Sequence, residues 1–168
     1  MSKQTFTTPI GLVRWSHLVK PDVFKGVTRF KVGVMFPESN AHWQSHLSGL
    51  RDFARENGIE NLPVKPVMEK QEDESLVAKE GWMWMDFKTQ YKTVIVGPDK
   101  MPKELEGEPG FESKVAVSYV ASPHNNNGGG ISCFLQAVQI IELTPGSVGD
   151  PTAGFDVVDD GTLEKVPF

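Results

Sequence analysis

A mainly β fold is what this sequence predicts: an OB-like Greek-key barrel with one α-helix and a flexible acidic C-terminal tail. Three observations point there. Apolar and polar residues alternate with a period of two in several separate segments. Sixteen glycines and twelve prolines among 168 residues favour short strands and frequent turns over a helical bundle. After Leu143 the alternation gives way to TPGSVGDPTAG and an acidic end, so residues 1–143 read as the domain and 144–168 as the tail. With 39% hydrophobic residues the chain can bury a core of its own.

Residues 6–18 alternate loosely and break near Pro9–Gly11, and KPDVFKGV after them reads as a turn-bearing loop. RFKVGVMF is the cleanest strand. Phe30, Val32, Val34 and Phe36 form its core face, while Arg29, Lys31, Gly33 and Met35 face the other way, open to a ligand backbone. Ser39 or Asn40 then caps a helix whose apolar stripe is Trp43, Leu47, Leu50 and Ala54, with Phe53 alongside and Gly58 at its end. Residues 63–80, proline-bearing and acidic, look like a surface excursion. Strand signals return in GWMWMDFK, TVIV, SKVAVSYVA and GISCFLQAVQIIEL, the last two joined by the turn-rich PHNNNGGG. About six strands result. An OB barrel places its helix between strands three and four. That order is met only if residues 6–18 are two strands split at their break.

The net charge of −5 looks wrong for a ligand that is a polyanion, yet the charges are segregated. Residues 1–65 carry an excess of four positive charges, and residues 144–168 an excess of four negative ones. Arg14, Lys20, Lys25, Arg29 and Lys31 are opposed nearby only by Asp22. Binding single strands without reading sequence needs cations for phosphates and aromatic faces for bases. Trp15 follows Arg14. Trp82 and Trp84 share a strand face with Lys88, opposite Met83, Met85 and Phe87, and Tyr91 and Lys92 follow in the next turn. If the Met/Met/Phe face is the interior, two tryptophans and a lysine project outward; the alternative is that the tryptophans are themselves core. Tyr119 and Phe134 read as core.

Chemistry of other kinds finds little support. His42 and His46 are spaced for a metal on one helix face, but no third ligand accompanies them, and a pair of solvent-facing histidines is the plainer reading. Cys133 is the only cysteine, mid-strand in apolar company, so no disulfide framework or thiolate cluster can form. GGG at 128–130 lacks the lysine of a phosphate loop. Asp86 and Asp99 show no paired spacing for a metal-dependent nuclease. No cofactor, metal or catalytic residue is expected. No apolar run reaches the length of a membrane span, and the expected compartment is the cytoplasm. The tail, with Asp159 and Asp160 and an end in Pro167–Phe168, suits insertion of its aromatic, carboxylate-bearing end into a basic-rimmed apolar pocket on a partner.

TPIGLVRWSHLVKPD, RFKVGVMFP and the block from SKVAVSYVA to QAVQIIEL together resemble the phage single-stranded DNA-binding proteins of the OB-fold group, over most of residues 5–143. The ending EKVPF is similar to the acidic, Pro-Phe-terminated tails of bacterial single-stranded DNA-binding proteins, although Lys165 interrupts it. The resemblance implies a non-enzymatic protein of the phage-infected cell that coats single strands during replication, recombination or repair. Its tail is implied to recruit polymerase, helicase-primase or recombination proteins and to compete with DNA for the basic groove. Self-association into a homodimer is left open. A structural or scaffold-like β-domain with a docking tail is the alternative, and a small nuclease stands third.

Overall fold

In the computed structural model, which describes residues 3–144, eight strands and one helix follow in the order β1 (Gln4–Thr7), β2 (Gly11–Phe24), β3 (Val27–Pro37), α1 (Ala41–Glu56), β4 (Lys65–Lys70), β5 (Leu76–Thr89), β6 (Val94–Val96), β7 (Lys114–His124) and β8 (Gly130–Glu142). Strands β7, β2, β3, β5 and β8 are neighbours in that order, and a β7–β8 pairing closes the ring. All its pairs are antiparallel except β5–β8. A closed five-stranded Greek-key barrel of this kind has the OB architecture, as the sequence predicts. Strands β1, β6 and β4 extend the sheet outside the ring.

The break at Pro9 does split the first predicted strand in two, but β1 lies outside the ring. Within the barrel the helix therefore still joins the second and third strands. Two segments read as loops are strands. KPDVF completes β2, and the Lys25–Gly26 turn, with φ of 52° and 77°, leads straight into β3. Positive φ at both central residues matches the twist of a tight hairpin, and Gly26 adopts it without strain. Residues 63–80 hold β4 and the start of β5, a second hairpin whose outer half is exposed on both sides. Exposed hairpins have no buried face to impose alternation, which is why the sequence pattern hides them.

The helix packs its apolar stripe into the barrel core. Asn40 caps it by accepting from the amides of His42 and Trp43, and Gly58 takes a left-handed conformation just past its end. Its stripe of Trp43, Leu47, Leu50, Phe53 and Ala54 joins the core with Val13, Val32, Val34, Phe36, Met85, Phe87 and Tyr119. Trp43 stacks on Phe36 at 4.5 Å between ring centres. Cys133 is buried, as expected, and burial pushes its thiol up to about 12. Phe134, expected in the core, instead stands 44% exposed, because its neighbours Cys133 and Leu135 take the inward positions of β8.

The histidine pair also divides. His42 is exposed, whereas His46 is buried against Phe6, Trp43 and Tyr119, with its Nε2 2.9 Å from the Tyr119 hydroxyl. His46 points inward because the apolar stripe is wide enough to include it. Among the described residues no group of three ligands could hold a metal, and no helix is long and apolar enough to cross a membrane. Burial lowers the His46 pKa to about 4, partly offset by its hydrogen bond to the Thr7 backbone. Its unfolded value is 6.5, so the unfolded chain binds the proton first. The stabilisation is complete above pH 6.5 and is lost as pH falls towards 4, a change of roughly 3 kcal/mol. Thermal unfolding across that range should show this loss, and a His46→Gln variant should show a smaller one.

Candidate nucleic-acid interface

The alternation of β5 sets the site. Met85 and Phe87 are buried in the barrel, so Trp82, Trp84, Asp86 and Lys88 face outward. The three tryptophans Trp15, Trp82 and Trp84 are half-buried. Register then brings the strands into rows. His17 lies opposite Lys31, Lys31 opposite Lys88, and Lys88 opposite Phe134, across β2, β3, β5 and β8. Trp15 pairs with Gly33 and Gly33 with Asp86, while Met35 pairs with Trp84 and Trp84 with Lys65.

Cations sit on the aromatic rings. The Arg14 guanidinium is 4.6 Å from the Trp84 ring centre and the Lys65 ammonium 5.2 Å from it. Lys31 is 5.7 Å from Trp15, and Lys79 is 5.5 Å from Trp82. Trp15 meets Trp84 edge-on at 6.4 Å. These contacts place positive charge over the negative ring faces. Partial burial lowers the pKa of Arg14, although a guanidinium stays charged throughout. Lys31 also bonds Asp22 at 2.7 Å, and that bond holds the Asp22 carboxyl below its usual value.

Gly33 makes the close packing possible. A Cβ there would stand 2.6 Å from the Trp15 ring. The face expected to be open to a ligand backbone is therefore filled by Trp15, and Met35 beside it is buried.

Of the residues singled out in the sequence, Arg14, Trp15, Lys31, Trp82, Trp84 and Lys88 lie on this strip. Arg29 joins Lys88, Tyr91 and Phe134 around a cleft of about 340 Å³ at its end. Lys20 lines a second cleft with Arg14 and Trp15. Lys25 is at the β2–β3 hairpin tip, 5.4 Å from the Phe24 ring, which is 68% exposed. Lys92 lines a different depression with Val19, Lys103 and Glu104. Asp159, Asp160, Pro167 and Phe168 fall outside the described residues. Lys65, Lys79 and Phe134 are members that sequence reading misses. Only the backward continuation of β5 through LVAKEG could have signalled Lys79.

A closed barrel of this topology, with tryptophans interleaved with cations on its outer sheet face, defines a class by its fold, the OB-fold proteins. Solved structures narrow the likeness. Gp2.5, a single-stranded DNA-binding protein encoded by bacteriophage T7, matches with a TM-score of 0.69 at 18% identity, over 95% of this chain and 97% of that one. The single-stranded DNA-binding protein from bacteriophage Enc34, in complex with single-stranded DNA, matches at 0.59 with 12% identity, over 85% and 89%. A C-terminal truncation of the Enc34 protein matches at 0.62 with 14% identity, over 84% and 88%. The chain thus has the fold of these phage proteins. No protein-family model and no curated sequence matches it.

Gly33→Ala tests the packing of the strip. The added methyl must displace the Trp15 ring, costing about 1–3 kcal/mol as overpacking does. A lower Tm with an altered tryptophan emission spectrum is expected, and unchanged emission would show that Trp15 does not rest on Gly33.

Proposed function

We propose that this protein binds single-stranded DNA without strong sequence preference and is not an enzyme. The observation that carries the reading is the strip itself: Trp15, Trp82 and Trp84 on the outer barrel face, each within 6 Å of a Lys or Arg. Bases offer a π-face whatever their identity, and phosphates need cations at the spacing of the strand; the strip supplies both on one surface. The Enc34 protein, which shares the fold, is described in complex with single-stranded DNA. In this reading the chain coats transient single strands during phage replication, recombination or repair within the host cytoplasm.

Affinity for oligo-dT should fall steeply with salt, by about 0.7 log units per log of salt for each phosphate neutralised, and should exceed affinity for duplex. Oligo-dT should quench tryptophan emission. Trp84→Ala should weaken binding by about 1–3 kcal/mol while the barrel stays folded, since Trp84 is outside the core cluster. Equal affinity for duplex and single strand would end the reading.

The tail completes the proposal. Residues beyond Thr144 carry an excess of acids, and they serve as an arm that recruits replication or recombination proteins through Phe168, Pro167 and the acids Asp159 and Asp160. Thr144 belongs to the domain: its amide donates to the Ser113 hydroxyl at 2.8 Å and its carbonyl accepts from Gly110 at 2.9 Å. A chain ending at Thr144 should fold and bind oligo-dT as tightly as the full chain or more so, because an acidic competitor is gone. Removing Phe168 alone should leave oligonucleotide affinity unchanged and weaken pull-down of replication proteins. Loss of DNA binding in the chain ending at Thr144 would show the division of labour to be wrong.

A further inference from the structure

Strand β2 leaves its pairing with β3 between His17 and Asp22, and the amides released there do not go to water. They converge on one carboxylate from the far side of the sequence. Glu108 Oε1 accepts from the Leu18 amide at 2.6 Å and the Ser16 hydroxyl at 3.0 Å. Its Oε2 accepts from the amides of Val19 at 2.8 Å and Lys20 at 2.7 Å. Three successive N–H groups aimed at a single point form an anion-binding nest, and here the nest already holds an anion.

The surroundings favour an anion as well. The nest opens on a cleft of about 440 Å³ lined by Arg14, Trp15, His17 and Lys20, so it adjoins the tryptophan strip directly. Asp22 at the cleft's edge is tied to Lys31. A phosphodiester offers what Glu108 offers: one negative charge over two oxygens on one centre. Replacing the carboxylate by a phosphate therefore keeps every hydrogen bond, and the reach of Arg14 and Lys20 offsets the charge of the displaced carboxylate.

We propose that the Leu18–Val19–Lys20 amides and the Ser16 hydroxyl form a binding site for a strand phosphate next to Trp15, filled by Glu108 in the free protein. This rests on the single-strand reading above. Glu108 acts as an internal competitor, so phosphates win the nest only when neighbouring contacts on the strip hold the strand in place. The loop does not depend on this one side chain. Gly110 N–H donates to Thr144, Glu112 N–H donates to Val13, and Val13 N–H donates to Ser113, so the loop remains anchored without Glu108.

The test uses full-length Glu108→Ala and Glu108→Gln in two arms. In the first, inorganic phosphate is titrated at constant ionic strength while the amide resonances of residues 18–20 are followed by NMR. Saturable shifts are expected in the alanine variant and not in the wild type. In the second, oligo-dT affinity is compared with wild type; it should rise several-fold for alanine and less for glutamine, whose uncharged amide still offers an acceptor. Phosphate shifts in the variant, with no oligo-dT binding by any form, would keep the anion site and remove the single-strand reading. Absence of phosphate shifts in both variants, or folded variants that bind oligo-dT no better than wild type, would overturn the site and leave Glu108 a loop staple.

Discussion

In the antiparallel β3–β5 pair Val34 lies opposite Met85, and Val32 opposite Phe87. That register decides both sides of the sheet at once. It sends Val32, Val34, Phe36, Met85 and Phe87 into the barrel, where Trp43 and Tyr119 close over them. The same register obliges Gly33, Met35, Trp84, Asp86 and Lys88 to face outward. A slip of one residue would bury a lysine and an aspartate and expose two large apolar side chains, so the cost of misregister is high. The site is thus the reverse side of the core. Its geometry is as fixed as the packing beneath it.

The net charge of −5 does not describe the surface that matters. Of the acids on or beside the strip, Asp22 is tied to Lys31, Glu69 to Lys79 and Glu108 to backbone amides, and Asp86 lies in register opposite Gly33. Neutralising an acid with a backbone nest leaves lysines and arginines uncompensated without raising the protein's overall charge. An acidic protein can in this way present a cationic face. The strong negative bias of residues 145–168, which lie outside the described residues, contributes to the total.

Much of this was legible in the sequence because burial leaves a period behind. RFKVGVMF shows its core face by alternation, but Gly33 and Met35 on its other face are covered as well, and the alternation of GWMWMDFK leaves open which of its faces turns inward. The helix was legible from its stripe and from Asn40. What escaped were elements with no buried face to impose a pattern: the β2–β3 hairpin end and the β4–β5 hairpin, which carries Lys65 and Lys79. Phe134 escaped for a different reason. Its hydrophobicity argued for the core, while its parity with Cys133 and Leu135 argued against, and parity decided. His46 went the same way, a polar residue buried because its stripe position left no choice. Glu108 could not be read at all, since its partners lie about ninety residues earlier in the chain and their amides are free only because β2 bulges there.

The cations over the tryptophans bear on how such a strip can wait for a ligand. Half-buried indole rings exposed on a sheet are an association hazard, and a lysine or arginine laid across each one covers part of that surface with its own methylenes while keeping its charge in water. A strand arriving at the strip would compete with Asp22 for Lys31 and with Glu69 for Lys79. A cation–π contact at an exposed site is worth about 0.5–1 kcal/mol, less than a base gains by stacking. Lys31 is held by Asp22 at 2.7 Å and Lys79 by Glu69 at 3.6 Å, while Arg14 is partly desolvated against Trp84. The arrangement therefore places Arg14 at the junction of the Trp84 ring and the cleft that holds Glu108.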